Sequence, residues 1–461
     1  MLRSYGAAYA EPLIAALEAA EPSLSIRMNT LKGCSPDKNA DSVPWCGAGV
    51  YLARRPVFAA DPAWHQGCYY VQDASSMAYS HAVRTVVDRY FAGMPGLRYL
   101  DACAAPGGKT GTAAEALPPD ALVVANELDP WRAAVLVENM ARLGAPGVAV
   151  TRADASAIAS SGGTFHIIAV DAPCSGEGMM RKEPEAVAQW SPELIESCAA
   201  TQLRIVSDLW EALEPGGVML YSTCTFNTRE NEDTLRHLTD ILGGEPVDLG
   251  LDAFEGVWGG IGTTLPCYRF APGHVRGEGL FLAAVRKPLD APAPRAAKGR
   301  KGRDRVAMPK PDKAAADFVA RHVKAPEMPL DITADADGTV SVRPAAHAAF
   351  IDALAAKVTM LRRGIPVAVP KGRELAPAHT LALSTVIDPA SFATLELDRD
   401  DALGFLHGDS LASLPEGLPR GYVLVTFDRR PLGFVKNIGN RANNLVPDAF
   451  RLRIAPQNLR L

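Results

Sequence analysis

The sequence lacks several features that would place it in common protein classes. None of its eight cysteines forms a C-x-x-C pair, which disfavours a zinc knuckle. No apolar run approaches the roughly 20 residues that a membrane-spanning helix needs. The formal net charge is −5, so the overall charge does not indicate a nucleic-acid binder, and any such surface must be local. There is no secretory leader, so we expect a cytoplasmic protein with free thiols, no membrane partner and no metal.

What is present suits a large globular protein. The chain has 461 residues, enough for two to four domains, with 48% hydrophobic and 21% charged residues. Strand and helix patterns alternate from residue 96 to residue 286. This alternation predicts the α/β class, with a mostly parallel sheet covered on both faces.

A glycine turn lies near the start of this region. Residues 97–100 predict a buried strand, residues 106–108 read Pro-Gly-Gly, and residues 110–117 predict a helix. Glycines at the carboxyl end of a first strand let the backbone approach a ligand. The turn is neither G-x-G-x-x-G nor a phosphate loop, and Asp101 suits a charged, amine-bearing cofactor better than a pyrophosphate. Taken alone, the turn is equally consistent with a plain strand–helix connection.

Four acidic residues follow four predicted strands, at residues 97–100, 122–126, 148–151 and 165–170. One such residue is commonplace. Four along one sheet edge are difficult to explain by packing, because each would face solvent or a ligand. They are Asp101, Glu127, Asp154 and Asp171.

Two cysteines follow the fourth strand and a fifth, predicted at residues 218–222. Cys174 lies in Asp-Ala-Pro-Cys-Ser-Gly-Glu-Gly and Cys224 in Ser-Thr-Cys-Thr-Phe-Asn. Both should open onto the crevice of the glycine turn, where a thiol can act as a nucleophile. A lone cysteine after a strand is usually a small buried residue, but two in such loops favour a functional pair. No Cys–His–Asn arrangement is evident, which disfavours a thiol protease.

The regions on either side carry weaker signals. Residues 7–20 predict a helix, residues 24–32 an edge strand whose basic residues face either a polyanion or solvent, and Asp73 the N-cap of a further helix. Residues 314–461 predict a small β-rich barrel with a helical segment, including strands at 361–368, 422–427 and 431–436 and a polar loop at 437–447. Between them, residues 287–313 predict a basic linker, more a solvated tether than a binding site, with these cations: Arg295, Lys298, Arg300, Lys301, Arg303 and Arg305.

In these motifs, the chain resembles the RNA cytosine-C5 methyltransferases of the NOL1/NOP2/Sun family. The resemblance is carried, in order, by residues 101–109, 171–178 and 222–226, and it covers about residues 5–286. Residues 439–445 resemble, over short stretches, the C-terminal extension of the bacterial 16S ribosomal RNA branch, the RsmF-like enzymes. That extension carries a PUA-like RNA-binding module.

The resemblance implies a Rossmann-like methyltransferase core at residues 89–286. It also implies a small N-terminal α/β RNA-binding domain at residues 1–88, the linker at 287–313, and a β-rich region with a PUA-like module at 314–461. In the core, Glu127 would hold the ribose of S-adenosyl-L-methionine, Asp154 the adenine amino group, and Asp171 would line the cofactor pocket or the flipped base. The loop expected to wrap the methionine end consists of Cys103, Ala104, Ala105, Pro106, Gly107, Gly108 and Lys109.

For the chemistry, the resemblance implies that Cys224 attacks C6 of cytosine and that Cys174 assists release, with Asp171 and Lys109 completing the catalytic group. The opposite assignment makes Cys174 the nucleophile, as in the DNA cytosine-C5 enzymes, and the Thr-Cys-Thr motif disfavours it. The resemblance also implies an rRNA-processing enzyme that acts as a monomer. Its partner would be 16S ribosomal RNA or the small ribosomal subunit. A transfer-RNA methyltransferase and an inactive, RNA-binding ribosome-assembly factor are the alternatives.

Overall fold

The computed structural model describes residues 5–18, 22–292, 311–325, 328–411, 414–455 and 457. The six predicted linker cations therefore lie outside the described residues. Within those ranges, no helix has both the length and the apolar character needed to cross a bilayer. The domain boundaries expected from sequence stay predictions.

The N-terminal part contains a four-stranded antiparallel sheet in the order β2-β3-β1-β4. Asp73 accepts a hydrogen bond from the Ser76 N–H at 3.2 Å, in the turn Ser75–Met77 that leads into α3. The prediction that Asp73 is the N-cap of this helix is wrong, because the turn comes between them and Met77 occupies that position. The elements are α1 (Ala7–Glu18), β1 (Ser25–Met28), β2 (Ser42–Val43), β3 (Cys46–Tyr51), α2 (Pro62–His65), β4 (Tyr69–Val71) and α3 (Ala78–Tyr90).

The prediction of an edge strand at residues 24–32 is wrong. β1 lies between β3 and β4, and Arg27 is buried rather than facing solvent or a polyanion. Its Nε donates to Gln72 Oε1 at 2.9 Å and its Nη1 pairs with Glu115. Because Glu115 belongs to the helix after the glycine turn, this buried ion pair ties the N-terminal sheet to that helix.

The central sheet has the order β10-β12-β9-β8-β5-β6-β7-β15, with β11 paired to β12. The five strands β9, β8, β5, β6 and β7 run parallel to one another, and apolar clusters cover both faces of the sheet. Its strands are β5 (Arg98–Asp101), β6 (Leu122–Asn126), β7 (Val148–Arg152), β8 (Phe165–Asp171), β9 (Leu213–Thr223), β10 (Glu245–Val247), β11 (Cys267–Phe270), β12 (Leu280–Arg286) and β15 (Thr359–Arg362). Its helices are α4 (Gly108–Ala116), α5 (Pro130–Leu143), α6 (Ala155–Ala159), α7 (Pro184–Gln189), α8 (Pro192–Trp210) and α9 (Glu232–Arg236). The predicted α/β class and parallel core are confirmed.

Two further sheets lie towards the C-terminus, in the orders β13-β14-β16-β17 and β18-β19-β20-β21. Their strands are β13 (Leu330–Ala334), β14 (Val340–Pro344), β16 (Ile365–Lys371), β17 (Glu374–Pro377), β18 (Ala393–Glu396), β19 (Gly421–Phe427), β20 (Arg430–Asn437) and β21 (Ala442–Asn444). The helices are α10 (Lys313–His322), α11 (Ala348–Ala355), α12 (His379–Ala382) and α13 (Arg399–His407).

Two local predictions for this part are wrong. The stretch 361–368 is not one strand, because the chain turns at Gly364, where φ is +155°, and the two halves join different sheets. The first half, β15, pairs antiparallel with β7 of the central sheet. The polar loop at 437–447 contains the strand β21, whose residues pair with β20.

Candidate active site

The strand order brings the four strand-end acids to one sheet edge. The strands β8, β5, β6 and β7 are neighbours and parallel, so their carboxyl ends lie side by side. Asp171 ends β8, Asp101 ends β5, and Glu127 and Asp154 follow β6 and β7. This edge is the position where open parallel sheets bind ligands.

The loop after β5 turns tightly against α5. Gly107 has φ of +110°, and a Cβ there would lie 2.7 Å from Met140 Cε, so only glycine fits without displacement. Arg132 and Asn139 of α5 donate to the carbonyls of Ala105 and Pro106, each at 2.8 Å. The neighbouring Cys103 is half-buried, and burial raises the pKa of its thiol, which keeps it protonated and unsuited to nucleophilic attack.

Asp101 does not face solvent, contrary to the sequence-based expectation. It is 1% exposed and accepts a hydrogen bond from Thr110 Oγ1 at 2.6 Å. Burial raises the pKa of Asp101 to about 7. Its visible role is to join the end of β5 to the first turn of α4, which fixes the path of the glycine loop between them.

Glu127 is buried, and one of its two oxygens accepts no hydrogen bond from the described residues. Its Oε1 accepts the Asp129 N–H at 3.0 Å, whereas its Oε2 has no hydrogen-bond partner among the described residues and lies 3.3 Å from an Arg132 nitrogen as an ion pair. A buried carboxylate oxygen without a hydrogen bond is costly unless a ligand supplies the donor. The residue therefore fits a bound group with hydroxyl donors, such as a ribose.

Asp154 is more engaged than its position suggested. Its Oδ1 accepts from the Ser156 N–H at 3.0 Å and from Ser156 Oγ at 2.6 Å, so it caps α6. These hydrogen bonds lower the pKa of Asp154. Its second oxygen lies 3.4 Å from an Arg204 nitrogen and is the one left for a ligand.

The two predicted cysteines are in contact. Their Sγ atoms lie 3.2 Å apart, too far for a disulfide and suitable for a thiol hydrogen bond, and both side chains are half-buried. This hydrogen bond lowers the pKa of Cys224 and raises the pKa of Cys174. The contact therefore favours the thiolate form of Cys224 over that of Cys174.

Lys109 and Asp171 connect the glycine loop to the cysteines. Lys109 Nζ lies 2.8 Å from Asp171 Oδ2, and Ser222 Oγ donates to Asp171 Oδ1 at 2.6 Å. The hydroxyl of buried Tyr79 lies 2.8 Å from Ser222 Oγ and extends this series of hydrogen bonds. Burial opposes the charged form of Lys109, but the Asp171 carboxylate outweighs it and the pKa of Lys109 is raised. The ammonium group in turn favours the Cys224 thiolate.

A buried carboxylate that the sequence did not single out holds the Cys224 loop. Glu177 Oε2 accepts hydrogen bonds from Thr225 Oγ1 at 2.7 Å and from the N–H groups of Phe226 and Asn227 at 2.7 and 2.9 Å. Its Oε1 accepts from Trp190 at 3.1 Å. Glu177 lies in the Cys174 motif, so it fixes one cysteine loop against the other.

A second buried carboxylate, Glu230, holds the Cys174 loop. It accepts from the Ser175 N–H at 3.0 Å, from Gln202 Nε2 at 2.7 Å and from Asn227 Nδ2 at 2.7 Å, and it also contacts the Ser175 hydroxyl. The Glu230 N–H returns a bond to Asn227 Oδ1 at 2.9 Å. Asn227 and Glu230 have the residue spacing of a capping box, although Glu230 accepts from the Asn227 side-chain amide rather than from its backbone N–H. That spacing is the signal that could have identified them.

Gly178 brings the two loops into backbone contact. Its N–H donates to the Cys224 carbonyl at 2.8 Å, and a Cβ on Gly178 would lie 2.5 Å from that same oxygen. Any larger residue would push the loops apart. The sheet edge therefore combines two thiols in contact, an ammonium–carboxylate pair and a Glu127 oxygen that accepts no hydrogen bond within the described part of the chain.

Comparison with known families gives three matches along the chain. Residues 92–286 match the family described as 16S rRNA methyltransferase RsmB/F. Residues 1–74 match the N-terminal domain of 16S rRNA methyltransferase RsmF, and residues 392–452 match the methyltransferase RsmF PUA domain. Together they agree with the Rossmann-like core, small N-terminal domain and PUA-like module implied by the resemblance.

Individual proteins agree with these matches. The chain is 33% identical over 447 residues to ribosomal RNA small subunit methyltransferase F of Serratia proteamaculans, covering 92% of this chain and 89% of the relative. It is 32% identical over 443 residues to the protein of the same name from Escherichia coli, with coverages of 92% and 89%. Among solved structures, a methyltransferase homologue from Pyrococcus horikoshii superimposes with a TM-score of 0.52 and 27% identity, over 62% of this chain and 92% of that one.

Proposed function

Since this chain belongs to the RsmB/F family of RNA methyltransferases, we propose that it methylates C5 of a cytosine in 16S ribosomal RNA, with S-adenosyl-L-methionine as donor. The observation that carries the cytosine-C5 chemistry is the pair of sulfur atoms 3.2 Å apart, a contact that lowers the pKa of Cys224. Methylation of a ring nitrogen or a ribose hydroxyl needs no covalent catalyst. C5 of cytosine is a poor nucleophile and becomes reactive only after a nucleophile adds to C6.

In this mechanism the Cys224 thiolate forms a bond to C6, and the electron pair of the C5–C6 double bond makes C5 nucleophilic. The carboxylate of Asp171 would accept a hydrogen bond from the exocyclic amine or a protonated N3, stabilising the altered ring. Lys109 holds Asp171 in place at 2.8 Å. Stacked bases hide C6, so the target cytosine must be unpaired or flipped out of its stack.

Release follows from the same sulfur pair. Once Cys224 is bonded to C6, its sulfur is no longer a thiolate that accepts the Cys174 hydrogen bond, so the main cause of the raised Cys174 pKa disappears. Cys174 can then lose its proton to solvent and take the C5 proton as the C6–sulfur bond breaks. This step restores the C5–C6 double bond and the Cys224 thiolate. Cys174 is the poorer initial nucleophile because the contact raises its pKa.

The residues present fit the donor. The open Glu127 oxygen would accept from the ribose hydroxyls, the second oxygen of Asp154 would face the adenine amino group, and the loop at residues 103–109 would surround the methionine end. S-adenosyl-L-methionine supplies an electrophilic methyl group on a sulfonium. Its positive charge suits an edge lined by strand-end carboxylates.

The test compares Cys224→Ala, Cys174→Ala and Cys198→Ala, the last being a half-buried cysteine on α8 outside the crevice. Transfer of labelled methyl groups to small-subunit ribosomal RNA is followed, together with denaturing gels for covalent protein–RNA adducts. We expect Cys224→Ala to lose methylation while binding the cofactor normally, Cys174→Ala to accumulate an adduct, and Cys198→Ala to behave as wild type. Normal turnover by Cys224→Ala would refute the nucleophile, and bisulfite sequencing identifies the modified base.

A further inference from the structure

A second cavity, away from the cysteines, lies between the central sheet and the C-terminal region. It encloses about 480 Å³ and is lined by one face of α5, by residues of β7, β15 and β16, and by Phe450. We call it the arginine cavity, after Arg152, Arg362 and Arg363 in its wall. The mechanism above uses none of these three residues.

The charged groups around the arginine cavity are unequally balanced. Three arginines and two acids, Glu138 and Asp335, line the cavity, and Arg363 pairs with Asp352 outside the wall at 3.5 Å. Glu138 also lies 3.8 Å from Arg142, outside the cavity wall. The cavity therefore carries an excess of positive charge.

Arg362 is the unusual member. It is only 6% exposed, and its Nε donates to the Gly364 carbonyl at 2.6 Å. Both terminal nitrogens, Nη1 and Nη2, are buried, and neither has a hydrogen-bond partner within the described ranges of the chain. Burial without a compensating carboxylate lowers the pKa of Arg362 to about 10.

A neighbouring arginine shows what a purely structural role looks like. Arg343 on β14 is 4% exposed, comparable to Arg362. It donates to Asp352 at 2.7 and 2.9 Å and to Asp331 at 2.9 Å, so its guanidinium is paired on two sides. A buried guanidinium left unpaired is destabilising, so Arg362 lacks the arrangement that would make it a structural element.

The position of the arginine cavity relates it to the active site. β15 pairs with β7, with Thr359 opposite Arg152 and Arg362 opposite Val150. β7 leads into Asp154, and α5 begins at Pro130, three residues after Glu127. One end of the cavity therefore adjoins the sheet edge that carries the cofactor-side acids.

We propose that the arginine cavity binds a phosphodiester group of the substrate RNA, with the two free Nη groups of Arg362 donating to its oxygens. A guanidinium matches the geometry of phosphate oxygens and binds them in a bidentate manner. The proposal rests on RNA being the substrate, and it assigns one contact that orients the strand beside the crevice.

The first test compares Arg362→Met with Arg343→Met. Binding of a fluorescein-labelled single-stranded RNA of mixed sequence is measured by anisotropy over a range of KCl concentrations, without cofactor, and thermal unfolding is measured in parallel. We expect Arg362→Met to weaken RNA binding roughly tenfold and to reduce the slope of log affinity against log salt by roughly 0.7, one phosphate contact. Its unfolding temperature should equal or exceed that of wild type, because an unpaired buried charge is removed. Arg343→Met should unfold at a lower temperature.

A variant of an exposed arginine of the cavity and two small ligands complete the experiment. Arg152 is exposed, so Arg152→Gln leaves the fold intact and should weaken RNA binding by a smaller factor. Unchanged RNA affinity and salt slope in both Arg362→Met and Arg152→Gln would overturn the proposal. AMP or inorganic phosphate could raise the unfolding temperature of wild type but not of Arg362→Met. If the two proteins then bind RNA with equal affinity, the cavity binds a small anion and the proposal is wrong. Because binding is measured without methyl transfer, a failure here is separable from a failure of the proposed reaction.

Discussion

The loop after β5 and the loops after β8 and β9 open on the same crevice but are held in different ways. The glycine loop is fixed by α5 side chains that donate to its carbonyls and by Gly107, which allows its close approach to α5. The cysteine loops are fixed by two buried carboxylates, Glu177 and Glu230, which accept bonds from backbone and side-chain donors. After the neighbouring strand β6, one Glu127 oxygen accepts no hydrogen bond from the residues that the structure describes and is left for a ligand.

The difference fits the two tasks that the proposed reaction would impose. A cofactor must enter and leave in each cycle, so its site needs polar atoms that are unpaired until the ligand arrives. Covalent attack instead requires a sulfur atom held within a fraction of an ångström. Saturated hydrogen-bond networks provide such rigidity. Substitutions at the two kinds of site should therefore separate catalysis from cofactor binding.

The largest effect is expected for Glu230→Gln. Its amide nitrogen would face the donors of Ser175, Gln202 or Asn227, leaving buried groups unpaired, so the free energy of unfolding should fall by about 2–4 kcal/mol. The methylation rate at saturating substrates should fall roughly a hundredfold, because the sulfur atoms are displaced. Chemical denaturation and single-turnover assays measure both, with the exposed Glu196→Gln as control. If Glu230→Gln has reduced stability but wild-type kinetics, the hydrogen bonds of Glu230 serve folding alone.

An intermediate effect is expected for Glu127→Gln. The substituted amide keeps one acceptor but cannot match a carboxylate that binds two hydroxyl donors, so the cofactor Kd should rise roughly tenfold. The rate at saturating cofactor should change little. Calorimetry with S-adenosyl-L-methionine, together with kcat and KM, distinguishes this outcome from Glu230→Gln. An unchanged Kd would exclude Glu127 from the cofactor site.

The smallest effect is expected in the pH dependence of adduct formation. The Cys174 thiol lowers the pKa of Cys224, so removing it in Cys174→Ala should raise that pKa. The rate of adduct formation should then reach its plateau at higher pH than in wild type. Cys174→Ser retains a hydroxyl donor and should shift the profile less. Rapid-quench gels measure the rate at each pH. Identical profiles in wild type, Cys174→Ala and Cys174→Ser would show that the sulfur contact does not change the pKa of Cys224.

The catalytic edge could be predicted because its features are local in sequence. Apolar periodicity predicts the strands of this sheet. The strand-end acids, the Pro-Gly-Gly turn and both cysteine motifs come directly after those strands. The predicted bounds of β6 match those observed, and the two cysteines lie in contact as the crevice required.

What could not be predicted depends on long-range packing. Arg27 looked like a surface cation because its strand alternates, and only the pairing with Glu115, 88 residues away, explains its burial. Glu177 lies inside a recognised motif, yet its partners are the Cys224 loop 48–50 residues later. Asp101 was expected to face a ligand and instead bonds to Thr110, because α4 packs over the end of β5.

The pairing of β15 with β7 has a practical consequence for anyone who shortens this protein. A chain ended within residues 287–313 would lose β15 and leave the edge of β7 at residues 150–152 unpaired at the rim of the central sheet. Bare strand rims recruit other chains and promote aggregation. A truncated catalytic core would thus be a poor mimic of the whole, and loss of RNA binding in such a fragment would report on its solubility as much as on the missing C-terminal region.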